Sequence, residues 1–369
     1  MDKDFLIFIG TLPWVLFLFA VFFYNSKKGN AQKRLFILFW LVLIFASIRY
    51  GIGYDYYSYK YVIEGNGYDY QLERWEILPR FIASVCSKIH YQLFFAICSV
   101  LTIWPIYFVS KRLSTDPLKS FTVYLLFPLF FLDGLGVIRN AVAYSLVFLM
   151  YYCLSRKKYI QSIICLLFAV GFHISAVVAI LIYPFYYWFH SKGVNVTLYV
   201  LSFVLSLFIM PLFEMVVPES MLYAKFLSNI EKEITAVGGT FFYVINGFAI
   251  FNLLCWKKLS SVHNNSRYLT LTNVGVCLWN VFLSIDPTTA QRLSTYFLFF
   301  IIFVIPSYVN ISLRNRPFIR MVSMGILYVL FISSIGLNLY AYYEKGRPMS
   351  NVPYQVFFLN PSDAFYHIE

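Results

Sequence analysis

The stretch FLIFIGTLPWVLFLFAVFFY, Phe5 to Tyr24, carries no charged residue. At about 1.5 Å of rise per residue it spans about 30 Å as a helix, the thickness of the hydrocarbon core of a bilayer. It has no small-residue cleavage site, and the residues before it, Met-Asp-Lys-Asp, are not a basic leader. It therefore reads as a retained membrane helix and not as a cleaved signal peptide. Further apolar runs, bounded by polar or basic breaks, recur as far as Tyr343.

The whole chain has the same character. Of its 369 residues 60% are hydrophobic, 21% aromatic and 12% charged, and a soluble domain carries about twice that charged share. A soluble fold is excluded. The reading is all-α: one polytopic integral membrane helical bundle over residues 1–369, without a domain boundary. Cys86, Cys98, Cys153, Cys165, Cys255 and Cys277 lie mostly within apolar runs and show no paired spacing, so neither a disulfide framework nor a metal site is expected.

A net charge of +12 can mark a nucleic-acid partner, but here the basic residues sit in short breaks between apolar runs. Positive-inside bias accounts for them, and no nucleic-acid partner is expected. The breaks holding Lys27, Lys28, Lys33 and Arg34; Lys111, Arg112 and Lys119; Arg156, Lys157 and Lys158; Lys192; Lys257, Lys258 and Arg267; and Arg314, Arg316 and Arg320 are taken as cytoplasmic. Together they contain 17 of the 29 Lys and Arg against one acid, Asp116. Alternation then predicts helices at roughly 5–24, 34–50, 91–110, 120–133, 138–154, 159–172, 174–190, 195–212, 240–256, 268–284, 292–311 and 319–341. These are about twelve crossings with both termini outside.

Three features depart from simple alternation. The run near 77–89 is apolar but contains Arg80 and Lys88, and reads as an interfacial or re-entrant helix on the outer side. The arm 159–172 reaches only about 21 Å, short of a full crossing, which places the hairpin apex at His173 below the outer surface in a cavity. The outer segments 51–75, 213–239 and 342–369 are long and polar, whereas the cytoplasmic breaks are short. Chemistry or binding is therefore expected outside.

Several charged residues need a reason. Arg49 ends the second helix, and Asp55 follows it across Gly51 and Gly53. They form either a structural ion pair or, in the case of Arg49, an arginine snorkelling to the interface or binding an anion. Arg139 and Arg292 stand at helix starts, where positive charge opposes the macrodipole, so a bound anion would account for both. Three such guanidiniums make a candidate clamp for a diphosphate, since each presents a donor fork that matches phosphate oxygens. His173, between two apolar arms, is either a hydrogen-bonding link between helices or a proton-transfer group. Glu73 and Glu76 sit at the mouth of the interfacial helix, where acids also suit a helix N-terminus. Tyr50, Tyr54, Tyr56, Tyr57, Tyr59, Tyr61, Tyr68 and Tyr70 crowd one segment, either stacking on sugar rings or anchoring at headgroup level. There is no P-loop, no Gly-x-Gly-x-x-Gly leading into a helix and no His-Glu-x-x-His.

Taken together, the motifs have a family likeness. Arg49-Tyr-Gly-Ile-Gly-Tyr-Asp55-Tyr-Tyr-Ser-Tyr59 resembles the Arg, Gly, Asp-Tyr, Tyr pattern of EpsG-type polysaccharide polymerases, which belong with the Wzy polymerases of O-antigen and capsule. Ile138-Arg139-Asn140-Ala-Val-Ala143 is similar to their Ile-Arg-Gln-x-x-Ala element, with Asn140 where Gln is more usual. Gly171-Phe172-His173-Ile174-Ser175-Ala176 is similar to their Phe-His-x-Ser-Ala element. Gln291-Arg292-Leu293 with Tyr296 resembles the Arg-Leu-x-x-Tyr element, and Val352-Pro353-Tyr354 the closing Pro-Tyr. Order and spacing match over nearly the whole chain.

The resemblance implies a metal-independent membrane glycosyltransferase without a cofactor, in a bacterial cytoplasmic (inner) membrane, its site facing the periplasm or cell exterior. Its substrates would be undecaprenyl diphosphate-linked oligosaccharides as donor and acceptor, among membrane lipids, with a chain-length regulator and a flippase as further partners. Arg49, Arg139 and Arg292 would bind the diphosphate, and Tyr54, Tyr56 and Tyr59 the sugar. Asp55 is the preferred base, His173 serves the clamp or a proton relay, and Glu76 is a second candidate base. The rival readings are a transporter of lipid-linked or anionic substrates and a surface-glycan ligase or acyltransferase. A transporter is expected to show repeated halves, and none is evident.

Overall fold

The computed structural model describes residues 3–65, 72–216, 236–262, 264–312, 317–345, 351–359 and 361. Tyr68, Tyr70, Arg314, Arg316 and most of the expected outer segment 213–239 lie outside the described residues. Helices account for nearly all of the regular structure, with one two-stranded ladder. Among the described residues, five helices are long and apolar enough to cross a membrane: Ile7–Ser26, Ala31–Ile48, Gln92–Leu113, Ile138–Ser155 and Lys192–Leu212. The bent pair Pro287–Leu298 and Ile301–Tyr308, kinked by 57°, brings the number to six. The chain is an all-α integral membrane protein.

It divides into two compact units, the first made of Met1–Ile174 and Ser312–Glu369, the second of Ser175–Ile311. The first begins with α1 (Lys3–Ser26) and α2 (Ala31–Ile48), whose start is capped by Asn30 accepting from the amides of Gln32 and Lys33. A two-residue strand β1 (Arg49–Tyr50) and a short helix α3 (Tyr56–Ile63) follow. Next come α4 (Ile77–Cys86) and α5 (Gln92–Leu113). α4 buries Pro79, Ala83 and Cys86 and exposes Ile77, Phe81 and Val85 in an apolar stripe four residues apart, the pattern of a helix lying in a membrane interface. Its Arg80 folds back, donating through Nη2 to the carbonyls of Glu73 and Trp75.

The expected helix 120–133 is instead two pieces, α6 (Pro117–Leu126) and α7 (Phe131–Gly134). Pro128 cannot donate to the helical ladder and disfavours helix in the residue before it, so the chain breaks there. α8 (Ile138–Ser155) is the most deeply enclosed of the long helices, packed between α5 and α9 (Tyr159–Phe172). α9 ends at His173, which is extended (φ −156°, ψ 125°).

The second unit opens on a 3-10 helix over Ile174–Leu181, then α10 (Ile182–Tyr187), α11 (Lys192–Val216), α12 (Ala236–Leu254) and α13 (Trp256–Leu259). α14 (Asn265–Leu283) is its centre and packs on α15 (Pro287–Leu298); α16 (Ile301–Ser312) follows. A Cβ on Gly275 would stand 2.9 Å from the Leu298 amide, so α14 and α15 approach to backbone contact. α11, α12 and α14 are joined by buried amides: Asn195 donates to Thr270, and Asn246 and Asn280 exchange hydrogen bonds of 2.9 and 3.0 Å.

The chain then returns to the first unit through α17 (Pro317–Lys345) and β2 (Gln355–Val356). β2 pairs antiparallel with β1, Arg49 opposite Val356 and Tyr50 opposite Gln355. Trp14, Phe45, Phe331 and Tyr354 pack ring to ring, Trp14 Nε1 donates to the Asn351 carbonyl at 2.6 Å, and the Tyr354 amide donates to the Gly10 carbonyl at 2.9 Å. A Cβ on Gly10 would fall 2.1 Å from that of Pro353, so only glycine admits this docking.

Candidate functional site

The first unit gathers three of the charged positions singled out above. Arg139, on the first turn of α8, donates through Nη1 to Glu76 Oε2 at 2.6 Å and through Nε to the Tyr59 hydroxyl at 3.3 Å. Its guanidinium lies 5.4 Å over the Trp75 ring. Glu76, the residue before α4, also accepts from the Ile174 amide at 3.3 Å through Oε1, which stands 3.9 Å from His173 Nε2. A single carboxylate thus faces a guanidinium, an imidazole and a main-chain amide. α4 and α9 can meet this closely because residue 171 is glycine: a Cβ there would be 2.8 Å from Leu78 Cδ1.

Asp55 begins α3 and is half-buried; its carbonyl accepts from the Tyr59 amide at 2.9 Å. Burial pushes the Tyr59 phenol up to about 12, with Arg139 pulling it back and Asp55 adding to the rise. Tyr59 is therefore a neutral hydroxyl at physiological pH. Trp75 completes this wall, packing edge-on to Tyr59 at 5.0 Å. Sequence reasoning missed Trp75, although it adjoins Glu76.

Arg49 is elsewhere. It is 2% exposed, and its donors go to the carbonyl of Ala46, to Ser99 Oγ at 3.2 Å and to the Leu135 carbonyl at 3.3 Å, with the Phe95 ring at 5.4 Å. The expected ion pair with Asp55 is not formed. The cavity beside it, lined by Ser99, Thr102, Tyr124 and Leu135 among others, measures about 10 Å³, room for about one water and none for a phosphate. The diphosphate role read for Arg49 is therefore not available in this arrangement.

The tyrosine cluster also divides. Tyr54 is 70% exposed, whereas Tyr56 is buried, stacked on Phe95 at 4.2 Å and donating to Gln92 Oε1 at 3.0 Å. Tyr50, Tyr57 and Tyr59 are buried too. Of the three tyrosines expected to contact sugar, Tyr54 alone presents its ring to the surface, and Tyr56 is core. Gln92 was not singled out, though an amide in the first turn of an apolar helix is itself a signal; its Nε2 donates to the carbonyls of Ser47 and Arg49.

Arg292 belongs to the second unit, exposed on α15. That helix starts at Asp286, whose carboxylate accepts from the Thr289 amide at 2.7 Å and hydroxyl at 2.9 Å. Four residues beyond Arg292, the buried Tyr296 hydroxyl stands 3.0 Å from Ser175 Oγ, within this unit.

A family profile described as the EpsG family matches residues 33–356. The chain belongs to the EpsG family. The match runs from the start of α2 to the last residue of β2, so it takes in every motif discussed above. The EpsG family includes Wzy-like polysaccharide polymerases, and membership supports a polymerase-like role in polysaccharide synthesis for this chain. No curated protein and no solved structure matches this EpsG-family chain.

Proposed function

We propose that this EpsG-family protein transfers a growing glycan from its undecaprenyl diphosphate carrier to the next lipid-linked repeat unit, on the outer face of a bacterial cytoplasmic membrane crossed about twelve times. The observation that carries the reading is the Glu76 carboxylate held between Arg139 and His173 in a wall of Trp75 and Tyr59. The exposed ring of Tyr54 suits a sugar face, and phosphate oxygens suit a guanidinium that, among the described residues, bonds protein groups through Nη1 and Nε.

In this reading the acceptor hydroxyl attacks the anomeric carbon of the donor, and the bond from that carbon to the diphosphate oxygen breaks, the electron pair leaving with the diphosphate. Arg139 neutralises the charge that develops on the leaving group. When diphosphate oxygens draw on Arg139, the Glu76 carboxylate is released from that contact and takes the acceptor proton. Glu76 is preferred to Asp55 as base because the arginine invoked to keep Asp55 ionised is bonded to Ala46, Ser99 and Leu135 instead. His173 supports Glu76 and relays the proton onward. The reaction draws on no cofactor and no metal.

The test is incubation of the purified protein with short undecaprenyl diphosphate-linked repeat units, products being resolved on a gel beside Arg139→Ala. A product ladder that needs Arg139 supports the reading. Folded protein with authentic substrate and no ladder overturns it.

A further inference from the structure

We infer that Arg49 is the positioning residue of the Arg139–Glu76 site, acting on the reaction without touching substrate; the inference rests on the polymerase reading above. A guanidinium removed from water needs compensation, and none of its hydrogen-bond partners is an acid. Its compensation comes from main-chain carbonyls. Ala46 lies in the last turn of α2, so its carbonyl carries the partial negative charge of a helix C-terminus, and Leu135, directly after the single turn α7, offers its peptide oxygen. Arg49 thereby ties the end of α2 to the end of α7, while Ser99 and the Phe95 ring tie it to α5.

What lies beyond Leu135 gives the tie its use. Gly136 and Val137 donate to the Asp133 carbonyl at 2.8 and 3.0 Å, Ile138 donates to Gly136 at 3.0 Å, and α8 begins there, one residue before Arg139. This turn is also clamped from the other side. Gly53, at φ +107°, lies so close that a Cβ would be 2.4 Å from the Leu135 carbonyl oxygen and 2.5 Å from Gly136 Cα. The anchor itself is held, because the Arg49 backbone pairs with Val356 and its carbonyl accepts from Gln92 Nε2 at 3.0 Å. A shift at Arg49 therefore moves the start of α8 and, with it, the Arg139 guanidinium. Lysine cannot replace it, since one ammonium on a flexible stem does not reach three acceptors in a fixed fork.

The experiment compares Arg49→Lys with Arg139→Lys in the full-length protein. For Arg49→Lys the expected result is a kcat lowered about 10- to 100-fold, the scale of a misplaced catalytic group. KM for the lipid-linked unit and inhibition by undecaprenyl diphosphate should change less than about twofold, whereas Arg139→Lys weakens both. Amide hydrogen exchange should quicken across residues 135–141 in Arg49→Lys and stay unchanged in α14. A parallel rise of KM and of the product inhibition constant in Arg49→Lys would make Arg49 a ligand-binding residue and overturn the inference. So would unchanged exchange at 135–141. Ser99→Ala, which removes one acceptor and keeps the charge, gives the same exchange readout if Arg49→Lys does not fold. If the parent protein forms no polymer, the polymerase reading fails while the exchange result still decides this one.

Discussion

Glu76 Oε2 stands 2.6 Å from Arg139 Nη1, joining a residue at the start of α4 to one at the start of α8 across 63 positions of sequence. Both side chains are mostly enclosed, at 19% and 24% exposure, so the pair is screened less than a surface ion pair. Glu76→Gln keeps the shape and removes the charge. We expect polymerisation to fall at least about 100-fold, the range of a lost general base, at unchanged protein level in the membrane. Asp55→Asn should cost less than about tenfold; the reverse order in the same gel assay would return the base role to Asp55.

Gly53→Ala tests the clamp between the two glycine-bearing turns. Its φ of +107° disfavours any side chain, and the added methyl would collide with Leu135 and Gly136. A loss of about 1–3 kcal/mol is expected, seen as a lower melting temperature of the purified protein. Gly65→Ala, at φ +74° with open space around it, should cost visibly less.

Tyr54 and Tyr56 are two residues apart and should behave differently. Tyr54→Ala removes an exposed ring, and KM for the lipid-linked acceptor should rise about three- to tenfold, the worth of one aromatic contact. Tyr56→Phe removes a buried hydrogen bond to Gln92 and should lower stability by about 1 kcal/mol with KM unchanged.

Tyr59 supplies a pH dependence. Its phenol titrates near 12 in the folded chain against about 10 when unfolded, so the folded state holds this proton more tightly. The stability it contributes is fully present below pH 10 and is lost as pH rises from 10 towards 12. Melting temperatures measured from pH 9 to 12 should therefore fall more steeply for the parent protein than for Tyr59→Phe.

The helices that house the site were legible from hydropathy because each is an uninterrupted apolar run closed by basic or glycine-containing breaks. The expected 159–172 coincides with α9, and 138–154 falls one residue short of α8. The motif residues were legible as chemistry out of place, namely a charge at the start of α8 and a histidine between apolar arms, whereas Arg292, expected at a helix start, is the sixth residue of α15. Their pairing was not. Arg49 and Asp55 are near in sequence and of opposite charge, yet Arg49 is compensated by carbonyls, which leave no mark in side-chain identity. Glu76 and Arg139 carry no signal of each other, since their meeting depends on how α4, α8 and α9 pack. The tyrosines show the same limit: spacing along α3 does not tell which ring faces Phe95 and which faces out.

The return of the chain to β1 bears on how the protein is made. Tyr354 bonds the Phe45 carbonyl and Asn351 receives the Trp14 indole, contacts spanning 309 and 337 positions. At about 5–20 residues per second, the ribosome needs on the order of half a minute to deliver the strand that pairs with Arg49 after Arg49 itself has emerged. Until then the strand partner of Arg49 is missing and the junction is open on one side. A premature stop codon just upstream of residue 351 would leave every earlier membrane helix inserted and the junction at Arg49 unfinished.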